Sequence, residues 1–237
     1  MTKFEICAVN IQSARAAQEA GAHRIELCSA LDVGGLTPSP GLIRSAVESL
    51  SIPVNVLIRP REGDFTYDDP EFEVMLDDIR FCRETGAHGV VVGALTSGLE
   101  FDAPKMQAMK SAAGAMEMVC HRAFDFTSDP EKSLERLIQW GYSRVLSSGQ
   151  APNAMEGRFL LQKLVKQAAG RISVMPGAGI SASNIRDIAT TTLATEFHFT
   201  GKKKVSTEQQ HIPGLESWHW ESDVAMIREI IRALHNG

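Results

Sequence analysis

Three stretches of this chain share one grammar, and they restrict its fold more than any other feature. Ala20-Gly21-Ala22-His23-Arg24-Ile25-Glu26-Leu27, Thr85-Gly86-Ala87-His88-Gly89-Val90-Val91-Val92 and Trp140-Gly141-Tyr142-Ser143-Arg144-Val145-Leu146 each read as a helix end, a glycine, two residues and a strand. Glycine just past a helix takes the left-handed conformation cheaply. The short gap that follows is the length αβ loops use. Extended along the chain, this pattern predicts strands near 3–9, 24–28, 53–59, 89–94, 116–121, 144–148, 172–176 and 195–199. Helices are predicted near 11–20, 39–50, 70–85, 103–113, 129–139, 154–168, 182–190 and 221–235. Ser128 with Glu131 offers a capping box for the fifth helix, and Asp69-Pro70-Glu71 a similar start for the third.

Strict strand–helix alternation implies a parallel sheet. Eight such units in 237 residues fit one (β/α)8 TIM barrel, an α/β fold occupying 1–237 as a single domain. An open doubly wound sheet is the alternative, but no Gly-x-Gly-x-x-Gly follows the first strand. Positions 201–220 read as a long loop after strand eight, functional or interfacial in character.

Alternation within the strands assigns faces. With Ile6, Ile25 and Leu27 packed outward on helices, Glu5, Cys7, Glu26 and Cys28 point inward, so one Glu-x-Cys unit ends two adjacent strands. The same rule turns Asn55, Arg59 and Arg61 inward from strand three, with Asp64 close behind, and Glu196 and His198 from strand eight. Strand five ends Cys120-His121-Arg122-Ala123-Phe124-Asp125, where a regular strand would face His121 and Arg122 oppositely. Strand six ends Ser147-Ser148-Gly149, and strand seven runs into Gly177-Ala178-Gly179.

Polar residues at the carboxyl ends of barrel strands read as functional. Any one of them also serves as a structural ion pair, but the whole set would be costly to bury for structure alone. In the enzymatic reading His121 is the general acid/base, with Glu26 or Glu5 as carboxylate partner. Arg122 and Asp125 complete the catalytic candidates, and Arg59, Arg61 and Arg122 hold an anion. Asp64, Ser147, Gly149, Gly177, Gly179 and His198 would line the anion site, the glycines by letting backbone amides approach. The reaction classes open to this set are those of a lyase, isomerase or hydrolase acting on a small anionic or phosphorylated molecule. No lysine ends a strand, which disfavours Schiff-base chemistry.

A metal is the other reading. Thiolates favour Cu(I) and zinc, and Cys7 and Cys28 are expected neighbours, with Cys120 near the same site. Free cysteines equally serve as small buried hydrophobes. A net charge of -5 argues against a nucleic-acid partner. No apolar run of membrane-spanning length occurs, and the first residues lack a signal-peptide core. A cytoplasmic location follows, with the four cysteines reduced.

Longer motifs carry a resemblance. Glu5-Ile6-Cys7, Gly21-Ala22-His23-Arg24-Ile25-Glu26-Leu27-Cys28, Gly34-Gly35-Leu36-Thr37-Pro38-Ser39, Ile58-Arg59-Pro60-Arg61-Glu62-Gly63-Asp64-Phe65, His121-Arg122-Ala123-Phe124-Asp125, Met175-Pro176-Gly177-Ala178-Gly179-Ile180 and Glu196-Phe197-His198 together resemble the CutC family of copper homeostasis proteins. The resemblance runs from Phe4 to about Thr200. It implies a (β/α)8 barrel, a cytoplasmic homodimer or higher homo-oligomer, and Cu(I) as the only cofactor or cargo, held by Cys7 and Cys28. The chain departs from the family pattern at Cys120, where Phe is usual, at Glu62, where Gly is usual, and after Thr200.

Overall fold

The computed structural model describes residues 2–206 and 217–235. Eight parallel strands form a barrel: β1 Lys3–Ala8, β2 Arg24–Leu27, β3 Val54–Leu57, β4 Gly89–Val92, β5 Glu117–Cys120, β6 Arg144–Ser147, β7 Ser173–Pro176 and β8 Glu196–Phe199. They are hydrogen-bonded in the order β7-β6-β5-β4-β3-β2-β1-β8, and β7 packs beside β8 at the seam. The helices between them are α1 Ile11–Ala20, α2 Pro40–Ser49, α3 Asp69–Thr85, α4 Ala103–Ala113, α5 Pro130–Gln139, α6 Arg158–Ala168 and α7 Ile185–Thr192, with α8 Val224–His235 closing the ring.

Local chemistry sets the helix ends. Asn10 accepts the Ser13 amide at the start of α1, and Gly21 ends it at φ 92°. Asp68 and Glu71 form a reciprocal capping box on α3, one residue earlier than the sequence suggests. The cap of α5 is likewise Asp129, which accepts the Lys132 amide, and not Ser128.

The segment after β8 is not an irregular loop. Lys202–Ser206 (β9) and Trp218–Ser222 (β10) pair antiparallel, with Trp220 opposite Lys204. The Trp220 indole donates to Asp32 at 2.7 Å, which ties this ribbon to the segment after β2. Residues 207–216 of the expected loop lie outside the described residues.

Alternation sorts the strand residues into two layers. Ile6, Ile25, Leu27, Val56, Val90, Val92, Met118, Val145 and Phe197 join the large core between barrel and helices. Inside the barrel a small apolar cluster holds Cys7, Cys28, Leu57, Val91 and Val119. Cys120 belongs to the outer core, away from the other two thiols, because the residue before His121 faces the helices.

Candidate active site and metal centre

A cavity of about 380 Å³ opens at the carboxyl ends of the strands, lined by residues from β1, β2, β3, β8 and the loops after β3, β5 and β7. Its floor is made by Cys7, Glu26 and His198, and Cys28 is buried beside Cys7 without lining the cavity. Parallel register sets Cys7 beside Glu26, and Glu5 beside His198. The Cys7 and Cys28 sulfurs are 3.3 Å apart, both as free thiols. One ligand atom each from Cys7, Glu26 and His198 lies within 4.8 Å of the others.

Glu5 lies below this floor and does not line the cavity. It is fully buried and bonds upward to His198 Nδ1 at 2.9 Å. Downward it accepts from Arg24 Nε at 2.5 Å and Asn55 Nδ2 at 3.3 Å. Arg24 continues to Glu196 at 2.5 Å, and Arg144 pairs with Glu117. A layer of alternating charges thus fills the amino-terminal half of the barrel. Arg24 obeys the inward phase of Glu26 and Cys28, a signal present in the sequence but not singled out above.

These contacts set the protonation states. Burial raises the Glu5 carboxyl, but the His198 hydrogen bond and the Arg24 charge bring it down to about 2. Burial lifts Glu26 to about 7, with the Glu5 charge adding to the lift and His198 opposing it. Glu26 Oε2 is buried without a partner among the described residues. Burial works to lower His198, yet Glu26, Cys7 and Glu5 together hold it well above the ordinary imidazole value. The Cys28 contact and burial push the Cys7 thiol well up.

His121 forms a wall of the cavity. The chain curls into a short 3-10 helix, Arg122–Phe126, directly after it, so His121 and Arg122 both line the cavity and do not face opposite ways. His121 Nδ1 accepts the Ala123 amide at 3.1 Å, which leaves the ring proton on Nε2. Nε2 has no partner among the described residues. Burial and the Arg59 charge lower this imidazole to about 3, so it is neutral at pH 7. Phe65 packs on the ring at 4.9 Å. Gly93 makes room for it, since a Cβ there would lie 2.6 Å from His121 Cε1.

The other expected residues divide. Arg59 is buried against the cavity and donates to the carbonyls of Val33, Gly35 and Gly63 at 2.8–3.0 Å. Arg122 pairs with Asp125 at 2.9 Å and donates to Ser148 Oγ at 2.9 Å. Asp125 turns away from the cavity: it accepts from Ser147 Oγ at 2.6 Å, the Ser148 amide at 3.0 Å and the Gln150 amide at 3.2 Å. It therefore braces the loop after β6. Ser147 belongs to that brace, and Gly149 packs on Gly157, whose carbonyl a Cβ would meet at 2.3 Å.

Gly177 sits against Leu146 and does not line the cavity, whereas Gly179 does, beside Ala178 and Ile180. Arg61 and Asp64 lie outside. Arg61 binds Glu71 at 2.5 Å, Asp64 at 3.1 Å and the Thr66 carbonyl at 2.7 Å, which fastens the loop to α3. Period-2 alternation holds as far as Arg59 but not beyond it, so it misplaced Arg61, and Asp64, expected close behind, goes with the same loop. Phe65, Leu146, Ile180 and Lys202 line the cavity without having been singled out in the sequence.

A ring of eight parallel strands, with a polar-floored cavity open at its carboxyl mouth, defines the class: a TIM-barrel protein. The family model described as "CutC family" matches residues 2–203, and the chain belongs to the CutC family. A family protein CutC of Pasteurella multocida (strain Pm70) is 44% identical over 236 residues, covering 96% of this chain and 97% of that one. One from Xanthomonas campestris pv. campestris (strain 8004) is 44% identical over 235 residues, covering 98% of each. The crystal structure of a Streptococcus agalactiae protein named for copper homeostasis, CutC, is 35% identical with a TM-score of 0.81, over 84% of this chain and 99% of that one. Phosphoribosylanthranilate isomerase from Thermotoga maritima shares the fold alone, at 14% identity and a TM-score of 0.59, covering all of both chains.

Proposed function

We propose that the protein serves copper homeostasis by binding Cu(I) at the cavity floor, with Cys7 and Cys28 as the primary ligands and His198 beside them. The carrying observation is the 3.3 Å separation of two buried free thiols next to an imidazole and a carboxylate. Sulfur and imidazole donors suit Cu(I) and zinc, and hard cations prefer oxygen sets. Metal–thiolate bonds of ~2.3 Å let two sulfurs at about this distance share one ion. The donor set thus fits the metal that the family's name implies. Both thiols must lose protons to bind, and Glu26, lifted to about 7, stands next to Cys7 as an acceptor.

Four free cysteines, two of them in contact, suit a reducing compartment, which supports a cytoplasmic location; self-association rests on the family resemblance alone. Among the described residues no helix is long and apolar enough to cross a membrane.

Anaerobic Cu(I) competition titration of the wild type against Cys7→Ser/Cys28→Ser tests the site. The double variant should bind at least about tenfold more weakly, as loss of a metal's direct ligands demands. Equal affinity would remove both cysteines from the account.

A further inference from the structure

We propose that the cavity above the metal floor binds a small organic phosphate that carries a second oxygen acceptor, such as a carboxylate or carbonyl. The cavity, at about 380 Å³, falls in the size range of small-molecule sites and greatly exceeds one ion. Leu57, Phe65, Leu146 and Ile180 give it apolar walls, which no bare ion needs.

Two groups on the β3–β5 side await an acceptor. Arg59 is 6% exposed, and its guanidinium meets three carbonyls but no carboxylate among the described residues. A buried cation without an acid beside it is costly unless a ligand supplies the counter-charge. His121 is 5% exposed, and its Nε2–H is unpartnered. Side by side, these suit a carboxylate or carbonyl oxygen.

The β7–β8 side offers a different cradle. Ala178 and Gly179 are successive residues at φ 72° and 71° on a turn that lines the cavity, where backbone stands bare to an approaching anion. Ala178 takes that conformation without glycine's freedom. Lys202 lines the same cavity, its ammonium 3.8 Å over the Trp220 ring, and no carboxylate pairs with it among the described residues, so its charge is open to an anion. The Glu26 carboxyl lies at the floor and would repel a phosphate there, which assigns the phosphate to the rim.

Calorimetric titration of the metal-free protein with 3-phosphoglycerate, inorganic phosphate and glycerate as probes decides the matter. The two-ended probe should bind at least about tenfold more tightly than either half, the weight of one added charge-assisted contact. Lys202→Ala should cost about tenfold for 3-phosphoglycerate and nothing for glycerate, and His121→Phe should weaken glycerate as well. Lys202→Ala should leave Cu(I) affinity unchanged, which separates this site from the floor. Absence of binding by all three probes, glycerate alone binding, or a Lys202→Ala protein indistinguishable from wild type would each overturn the proposal.

Discussion

Two buried imidazoles face one cavity in opposite protonation states. His198 sits among Glu5, Glu26 and Cys7 and holds its proton tightly, whereas His121 sits among Phe65, Arg59 and backbone and stays neutral. The second state has a consequence for stability. An unfolded histidine takes up its proton near pH 6.5, but folded His121 does so only near 3. Between those values the unfolded chain binds more protons, so stability falls as pH drops through the window, by up to ~1.4 kcal/mol per unit. Urea unfolding of His121→Gln from pH 7 to 4 should show a shallower loss than wild type. Superimposable profiles would show that His121 is not held neutral. At this scale the sequence was legible for Glu5, Cys7, Glu26 and His198, which point inward as alternation demands, but not for Cys120, which was expected near the other thiols and faces the helices. It was not legible for Arg61, Asp64 and Asp125, which follow strand ends and whose direction is set by loop hydrogen bonds.

Elements bring these residues together through close backbone packing. Gly93 follows β4 directly, and its missing side chain lets the His121 ring lie against that backbone. A Cβ at this point would meet Ala123 Cβ at 2.8 Å as well as the ring. Gly93→Ala should cost about 1–3 kcal/mol, the usual penalty for overpacking, read from the denaturation midpoint. It should also weaken any cavity ligand that contacts His121, whereas full stability would mean the loop after β5 yields freely. The eight strands and eight helices follow from turn glycines and apolar periodicity. The β9–β10 ribbon does not: Lys202-Lys203-Lys204 lacks an apolar face, and its partner strand lies more than ten residues away in sequence. It is attached by the Trp220 indole on Asp32, by Asn10 donating to the Trp220 carbonyl at 3.0 Å and by the Ser222 amide on Ser13 Oγ at 2.9 Å.

In the molecule as a whole, the barrel interior divides into a charged lower layer and a cavity-facing upper one. Glu5 joins them, bonded to Arg24 below and His198 above. The lower layer keeps a histidine and a carboxylate beside two thiols in a space that apolar packing would otherwise fill, so the charge network positions the floor even though buried ion pairs contribute little net stability. On the proposed Cu(I) reading the two thiols must lose their protons to bind, so Cu(I) affinity should rise with pH through neutrality. An affinity independent of pH would contradict thiolate ligation. The most direct measurement is X-ray absorption at the copper edge of the anaerobically loaded protein. Sulfur scatterers at ~2.3 Å from Cys7 and Cys28 are expected, together with a nitrogen or oxygen neighbour, and a first shell without sulfur would contradict Cu(I) binding at these thiols.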